Sequence, residues 1–294
     1  MKNSLTLLFV LLGSIVYGQN KVYDYAYMNK NGICVYSIVD KKEYPIIKMG
    51  LNPCISPDGK KVAYTAYNKK NERFIAVMDI DTKKSIILNT KSNNCYGPVW
   101  SPDGKFIAYN VFDDKRKDWS VAIIDTNKIS AKVTTLPFGK CYMPTWSYDS
   151  KNVVVQNMKN VFIMDISGKI ISTVSIKDID NGIAELTKDV GPSSSDRFIF
   201  TNYNKNIVFT SEVNEPDGDD GPPTSVFIYD IIHKSTLRLS PKGYFAQHIV
   251  IKGDKILITA AKIKSSTAGI YTVDMDGKNF KMLLPNCSEI SAKN

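Results

Sequence analysis

A period of about 45 residues, a recurring Ser-Pro-Asp-Gly turn and short apolar runs between turns predict an all-β fold, a six-bladed β-propeller of four-stranded antiparallel blades. The 294-residue chain is 43% hydrophobic and 23% charged, a globular balance that excludes a disordered chain, a collagen or a coiled coil. It is long enough to bury a substantial core without staples.

The repeat is read most clearly in three copies. Asn52-Pro53-Cys54-Ile55-Ser56-Pro57-Asp58-Gly59 returns as Gly97-Pro98-Val99-Trp100-Ser101-Pro102-Asp103-Gly104 and as Met143-Pro144-Thr145-Trp146-Ser147-Tyr148-Asp149-Ser150. A second motif follows each copy: Val77-Met78-Asp79-Ile80-Asp81, Ile123-Ile124-Asp125-Thr126-Asn127 and Ile163-Met164-Asp165-Ile166-Ser167. Degenerate copies follow at Ile228-Tyr229-Asp230 and Val273-Asp274-Met275. In the first motif Pro presets φ for one turn corner, Asp occupies the next, and Gly supplies the left-handed residue that returns the chain. The strand Val62–Thr65 follows that turn, then Phe74–Met78, a second tight turn at the Asp, and an outer strand at Ser85–Leu88. Trp100 and Trp146 have the bulk to fill the wedge between neighbouring blades.

Blades two, three and four start near Leu51, Cys95 and Cys141; blade five runs from about Ser195 to Leu239 and blade six from Tyr244 to Leu284. Residues 22–49 hold three strands, and the C-terminal segment Cys287–Ser291 is expected to add the fourth, closing the ring and hiding its edges. Residues 172–194 lack a clear pattern, with a short helix or an irregular loop expected at Ile179–Lys188.

Residues 1–18 read as a cleaved secretory signal: Lys2, an apolar run from Leu5 to Val16, then Val16-Tyr17-Gly18. The domain is then 19–294, an exported periplasmic or secreted protein without a membrane span. The first cysteine is Cys34, so a lipoprotein anchor is not expected. Basic residues are scattered through turns rather than gathered in a stripe, so the net charge of +9 reads as a solvated surface and nucleic acid is not an expected partner.

The blade pattern resembles the TolB-like family, propellers of WD-type repeats from the bacterial envelope, whose blades read Pro-x-Trp-Ser-Pro-Asp-Gly-Lys-x-Ile-Ala-Tyr and then Ile-Tyr-Val-Met-Asp-x-Asp-Gly. The match is close over residues 52–168 and fades afterwards. TolB carries an N-terminal domain ahead of its propeller, and the expectation here is a propeller without it. Related propellers occur in peptidases and oligosaccharide lyases.

Catalytic motifs are scarce. No Gly-x-Ser-x-Gly or His-Glu-x-x-His occurs, and His233 and His248 are the only histidines. His233 follows the Asp230 turn, and His248 falls near the inner strand of blade six, about where the family's Pro would sit. The five cysteines are read mainly as small buried thiols, Cys95 and Cys141 being equivalent by repeat position.

Both motif turns belong at one end of the ring. The variable loops belong at the other, and they are the expected binding face. That face is expected to present Tyr96, Tyr142, Tyr244 and His248 near the channel mouth, with Trp119 and Arg116 in the Phe112–Trp119 loop. The loop 212–224 carries Asp217, Asp219 and Asp220, read as a plain acidic loop with calcium as the alternative, since the closing Glu of an EF-hand is missing. No other cofactor is expected. Two function classes remain: an envelope protein- or peptide-interaction module, and a carbohydrate-binding or lyase-like propeller. Three or more carboxylates converging on the axis favour the second; a weakly charged mouth favours the first.

Overall fold

Three copies of the first motif close the same way. In this computed structural model, Gly59 N–H donates to Ser56 O at 2.9 Å, Gly104 N–H to Ser101 O at 2.9 Å and Ser150 N–H to Ser147 O at 3.0 Å. The serine hydroxyl then donates to the Asp two residues on, at 2.6, 2.7 and 2.7 Å, and accepts the N–H of the residue that opens the next strand. The left-handed corner is Gly59 at φ +69° and Gly104 at φ +73°, whereas blade four places Ser150 there at φ +61°. Blade five keeps only the hydroxyl, Thr201, whose Oγ1 accepts the Asn206 N–H at 3.2 Å.

The structure describes residues 21–126, 133–135, 140–180, 183, 191–201, 205–215, 222–265 and 267–293. The 1–18 signal segment and Asp217, Asp219 and Asp220 lie outside the described residues.

The strands form six four-stranded sheets. Blades two to six each run outward in chain order from an innermost strand: Leu51–Ile55, Cys95–Trp100, Tyr142–Trp146, Phe198–Phe200 and Tyr244–Lys252. Blade one takes its innermost strand, Ser288–Ala292, from the C-terminal end of the chain; it pairs antiparallel with Tyr25–Asn29, setting Tyr25 opposite Ala292. The two kinds of motif turn share one end of the ring, as expected. Ile80 N–H donates to Lys60 O and Thr126 N–H to Lys105 O at 2.9 Å, and Ile231 N–H to Lys205 O at 3.1 Å.

The core is a set of wedges between blades. Val35 and Ile33 pack on Val62 and Ala76; Ile75 on Ile107 and Tyr109; Val121 on Val153 and Met164. Phe198, Phe209 and Phe227 stack beside Val154 and Val161, and Leu257 and Ile270 meet Tyr25 and Ile290 across the seam. Each such buried aliphatic or aromatic side chain contributes about 1.5–3 kcal/mol. Trp100 and Trp146 fill two wedges. All five cysteines are free thiols.

Ile170–Ser175 is the outer strand of blade four, and a short helix follows at Ile176–Asp180; residues 181–182 and 184–188 of the expected helix or loop at 179–188 lie outside the described residues. Ile176 and Ile179 are buried against the phenylalanine stack, so tertiary packing, not a helical repeat in the sequence, selects this turn of helix.

Candidate functional site

The inner strands carry a common irregularity. Their pairing slips between Leu51 and Cys54, Tyr96 and Val99, Tyr142 and Thr145, and Gln247 and Ile249; in blade one the slip falls between Ala26 and Met28. At each slip one residue of the inner strand is left-handed: Asn52 (φ +51°), Gly97 (+64°), Met143 (+50°), His248 (+49°) and Glu289 (+52°). Arg197 holds the same repeat position in blade five, four residues before Thr201, as Asn52 precedes Ser56. Bulges bend a strand and re-aim its side chains, and these recur at one level of the channel.

Three of these bulges are tied to the blade before them. Asn52 N–H donates to Glu289 Oε2 at 2.6 Å, Gly97 N–H to Thr65 Oγ1 at 3.1 Å and Met143 N–H to Asn110 Oδ1 at 2.9 Å. Three residues further on, Ile55 N–H donates to Ser291 Oγ at 3.0 Å and Trp100 N–H to Cys54 Sγ at 3.4 Å. Trp146 Nε1 donates to Val99 O at 3.0 Å, but its counterpart Trp100 Nε1 is buried with no acceptor.

On one side of this layer lies a cavity of about 350 Å³, with walls from all six inner strands. Its floor contains Asn52, Arg197, His248 and Glu289; its mouth runs past Pro57, Pro102, the exposed Tyr148 and Gly253. The cavity therefore opens at the motif-turn end. Most of the wall between is apolar, including Ile55, Val99, Trp146, Ile199 and Ile251.

The floor is where the charge lies. Arg197 forms no hydrogen bond or ion pair among the described residues, and its Nε is buried without an acceptor. Burial works against its charge, with Cys54 and Glu289 nearby acting to retain it. Burial pushes the Glu289 carboxyl up, opposed by the Asn52 N–H and the Arg197 charge. His248 is pushed down to about 4, first by burial and then by Arg197, so its ring is neutral at pH 7. Lys252, also in the wall, is lowered by burial and lies 4.6 Å from the Tyr25 ring centroid. Glu289 is the one carboxylate among the described lining residues. No group of three His, Cys, Asp or Glu among the described residues is placed to hold a metal ion.

Solved structures share this wheel. TolB from Acinetobacter baumannii superposes with a TM-score of 0.64 at 17% identity, over 92% of this chain and 66% of that one. A putative TolB from Agrobacterium tumefaciens gives 0.57 at 16% identity, over 91% and 92% of the two chains. The fold is that of a TolB-like six-bladed β-propeller. Identities this low speak for the fold alone, and the hydrazine synthase of Kuenenia stuttgartiensis also gives 0.64, at 12% identity over 93% of this chain and 47% of its own. The chain spans just under two thirds of the A. baumannii protein. No protein-family model matches it, and no curated protein matches it.

Of the binding residues expected from the sequence, His248 alone lines the cavity, which Trp100 and Trp146 also wall. It stands one position before the place of the family's Pro, level with Asn52 rather than Pro53. Tyr142 and Tyr244 begin their strands, and Tyr96 is second in its own, on the loop side of the bulge layer. Tyr96 stacks edge-on with Trp119, ring centroids 5.0 Å apart, under the Arg73 guanidinium at 4.8 Å. Its hydroxyl is raised by burial, against the pull of Arg73 and Arg197. Tyr142 is buried, and Tyr244 packs edge-on against Tyr271 and Phe280. Arg116 sits in an exposed hairpin 3.6 Å from Asp113. Arg197 and Glu289 were not singled out, although counting back from each inner-strand turn to the place of Asn52 identifies Arg197. No helix among the described residues is long and apolar enough to cross a membrane.

Proposed function

We propose that this propeller is an exported, noncatalytic interaction module that holds a peptide segment of an envelope protein in its axial cavity. One observation carries the reading: a mainly apolar cavity, walled by six blades, whose described lining includes a single carboxylate. Glycoside hydrolases use paired acids flanking the bond they cleave, and Glu289 has no second acid beside it in the described lining. The volume of about 350 Å³ lies in the range of small ligand sites and admits a few residues of chain. His248, neutral and without a hydrogen-bonded carboxylate among the described residues, lacks the pairing of a general base. The signal-like pattern of residues 1–18 supports a partner outside the cytoplasm, in the periplasm or beyond it.

The test is affinity capture from envelope extract, using the mature chain and a cavity-filling Ile199→Trp variant of matched melting temperature. A glycan array is run on the same two proteins. A protein recovered by the first and lost by the second supports the reading. A specific glycan bound by the first, with no protein recovered, overturns it in favour of the carbohydrate alternative.

A further inference from the structure

We propose that the axial cavity is a carboxylate-recognition site, in which Arg197 on the floor receives the terminal carboxylate of a ligand whose apolar body lies along Ile55, Val99, Trp146, Ile199 and Ile251. This rests on the interaction-module reading and adds the chemistry of what is bound. Arg197 is half-buried with its Nε enclosed, and a guanidinium drawn this far out of water is ordinarily paired. Arg197 is not paired among the described residues: its Nε has no acceptor and no carboxylate reaches its guanidinium. Glu289, the nearest candidate, has Oε2 committed to the Asn52 N–H at 2.6 Å, a bond that also fixes the seam between blades one and two. The wall thus carries two cations, Arg197 and Lys252, against one acid, with a neutral His248 beside them. Inside apolar walls that surplus attracts an anion more strongly than it does in water. A carboxylate fits the planar guanidinium through paired, charge-assisted bonds.

Two sources offer an apolar body ending in a carboxylate: the free C-terminus of a peptide, and a small aliphatic acid. Trp100 and Trp146 in the wall provide a fluorescence readout. The full mature chain is titrated with acetyl-Ala-Val-Leu bearing a free carboxylate, the same peptide as its amide, octanoate and octanamide. At least one acid is expected to bind about tenfold or more tighter than its amide, the span of a charge-assisted bond. Arg197→Met is expected to abolish that preference while raising the melting temperature, because it deletes a half-buried charge that has no partner among the described residues. Arg197→Lys is expected to keep part of the preference. Selective binding of the peptide acid assigns a chain terminus, and selective or equal binding of octanoate assigns the carboxylate head of a small acid; either supports the proposal. Equal binding of acid and amide, a preference surviving in Arg197→Met, or no binding of any probe at millimolar concentration overturns it. In those cases the Ile199→Trp capture experiment still reads the interaction-module function by itself, so the two failures are told apart.

Discussion

Blades two to four and blades five, six and one divide the labour of the wheel. The first three keep the Ser-x-Asp turn bonding, and at the bulge level they hold Asn52, Gly97 and Met143, none of which ionises. The other three have lost most of the motif, and the same level there holds Arg197, His248 and Glu289. Repetition stabilises a scaffold, since each copy solves the same packing problem. Departure from the repeat is where a polar side chain is placed on the axis. The half of the ring that is hardest to read in the sequence is thus the half with the chemistry.

Cutting the seam tests the comparison most severely. Deleting residues 287–294 removes the inner strand of blade one, along with the Glu289 and Ser291 acceptors of Asn52 and Ile55. Cooperative thermal unfolding followed by circular dichroism is expected to disappear; a sharp transition close to that of the intact chain would mean the regular half folds without closure.

The degenerate half also predicts the acid response. The pKa of His248 is pushed down to about 4, below the 6.5 of an exposed ring, so the unfolded chain takes up a proton that the folded one refuses. Stability rises with pH through this window, is complete above 6.5 and falls as pH drops toward 4. Between pH 7 and 4.5 that loss is about 2–3 kcal/mol. Glu289, whose pKa is raised, acts in the opposite sense, so the difference between the wild type and His248→Gln isolates the histidine. Urea unfolding at the two pH values should show the variant losing less by that amount; equal losses would place the titration elsewhere.

A pair of glycines compares one motif in two settings. At Gly104 (φ +73°) a Cβ would find Pro57 at 3.8 Å, leaving only the left-handed penalty of about 1–2 kcal/mol. At Gly59 (φ +69°) it would meet Tyr23 O at 2.4 Å, where blade one crosses the turn, so Gly59→Ala is expected to cost about 2 kcal/mol more than Gly104→Ala. Matched midpoints in urea would remove the seam as the cause.

The smallest effect contrasts the two tryptophans within the regular half. Trp146→Phe loses the bond to Val99 O and is expected to cost about 1 kcal/mol beyond the packing change. Trp100→Phe loses no such bond, because its Nε1 has no acceptor, and should be the milder variant. The reverse order in thermal melts would show that Trp100 has an acceptor in solution.

Much of this architecture is legible in the residues because turn chemistry is local. Ser56, Asp58 and Gly59 close their hairpin by bonds spanning five residues or fewer, so the motif announces itself wherever it occurs. The closing strand was inferable from a blade short of one strand. The helix at Ile176–Asp180 was not, because the phenylalanines that bury Ile176 and Ile179 lie in the next blade. Tyr96, Tyr142 and Tyr244 stood out as aromatic residues at or near strand starts, yet none of them lines the cavity.

By itself, then, the sequence determined the class of fold, the number of blades and the end of the ring at which the turns lie. These follow from φ preferences and hydrogen bonds within a few residues of one another. Only the tertiary structure decided that residues as distant as Asn52, Arg197, His248 and Glu289 share one cavity floor, and that Arg197 has no partner there among the described residues. Meeting on an axis is a property of six blades closed into a ring, and no single repeat contains it.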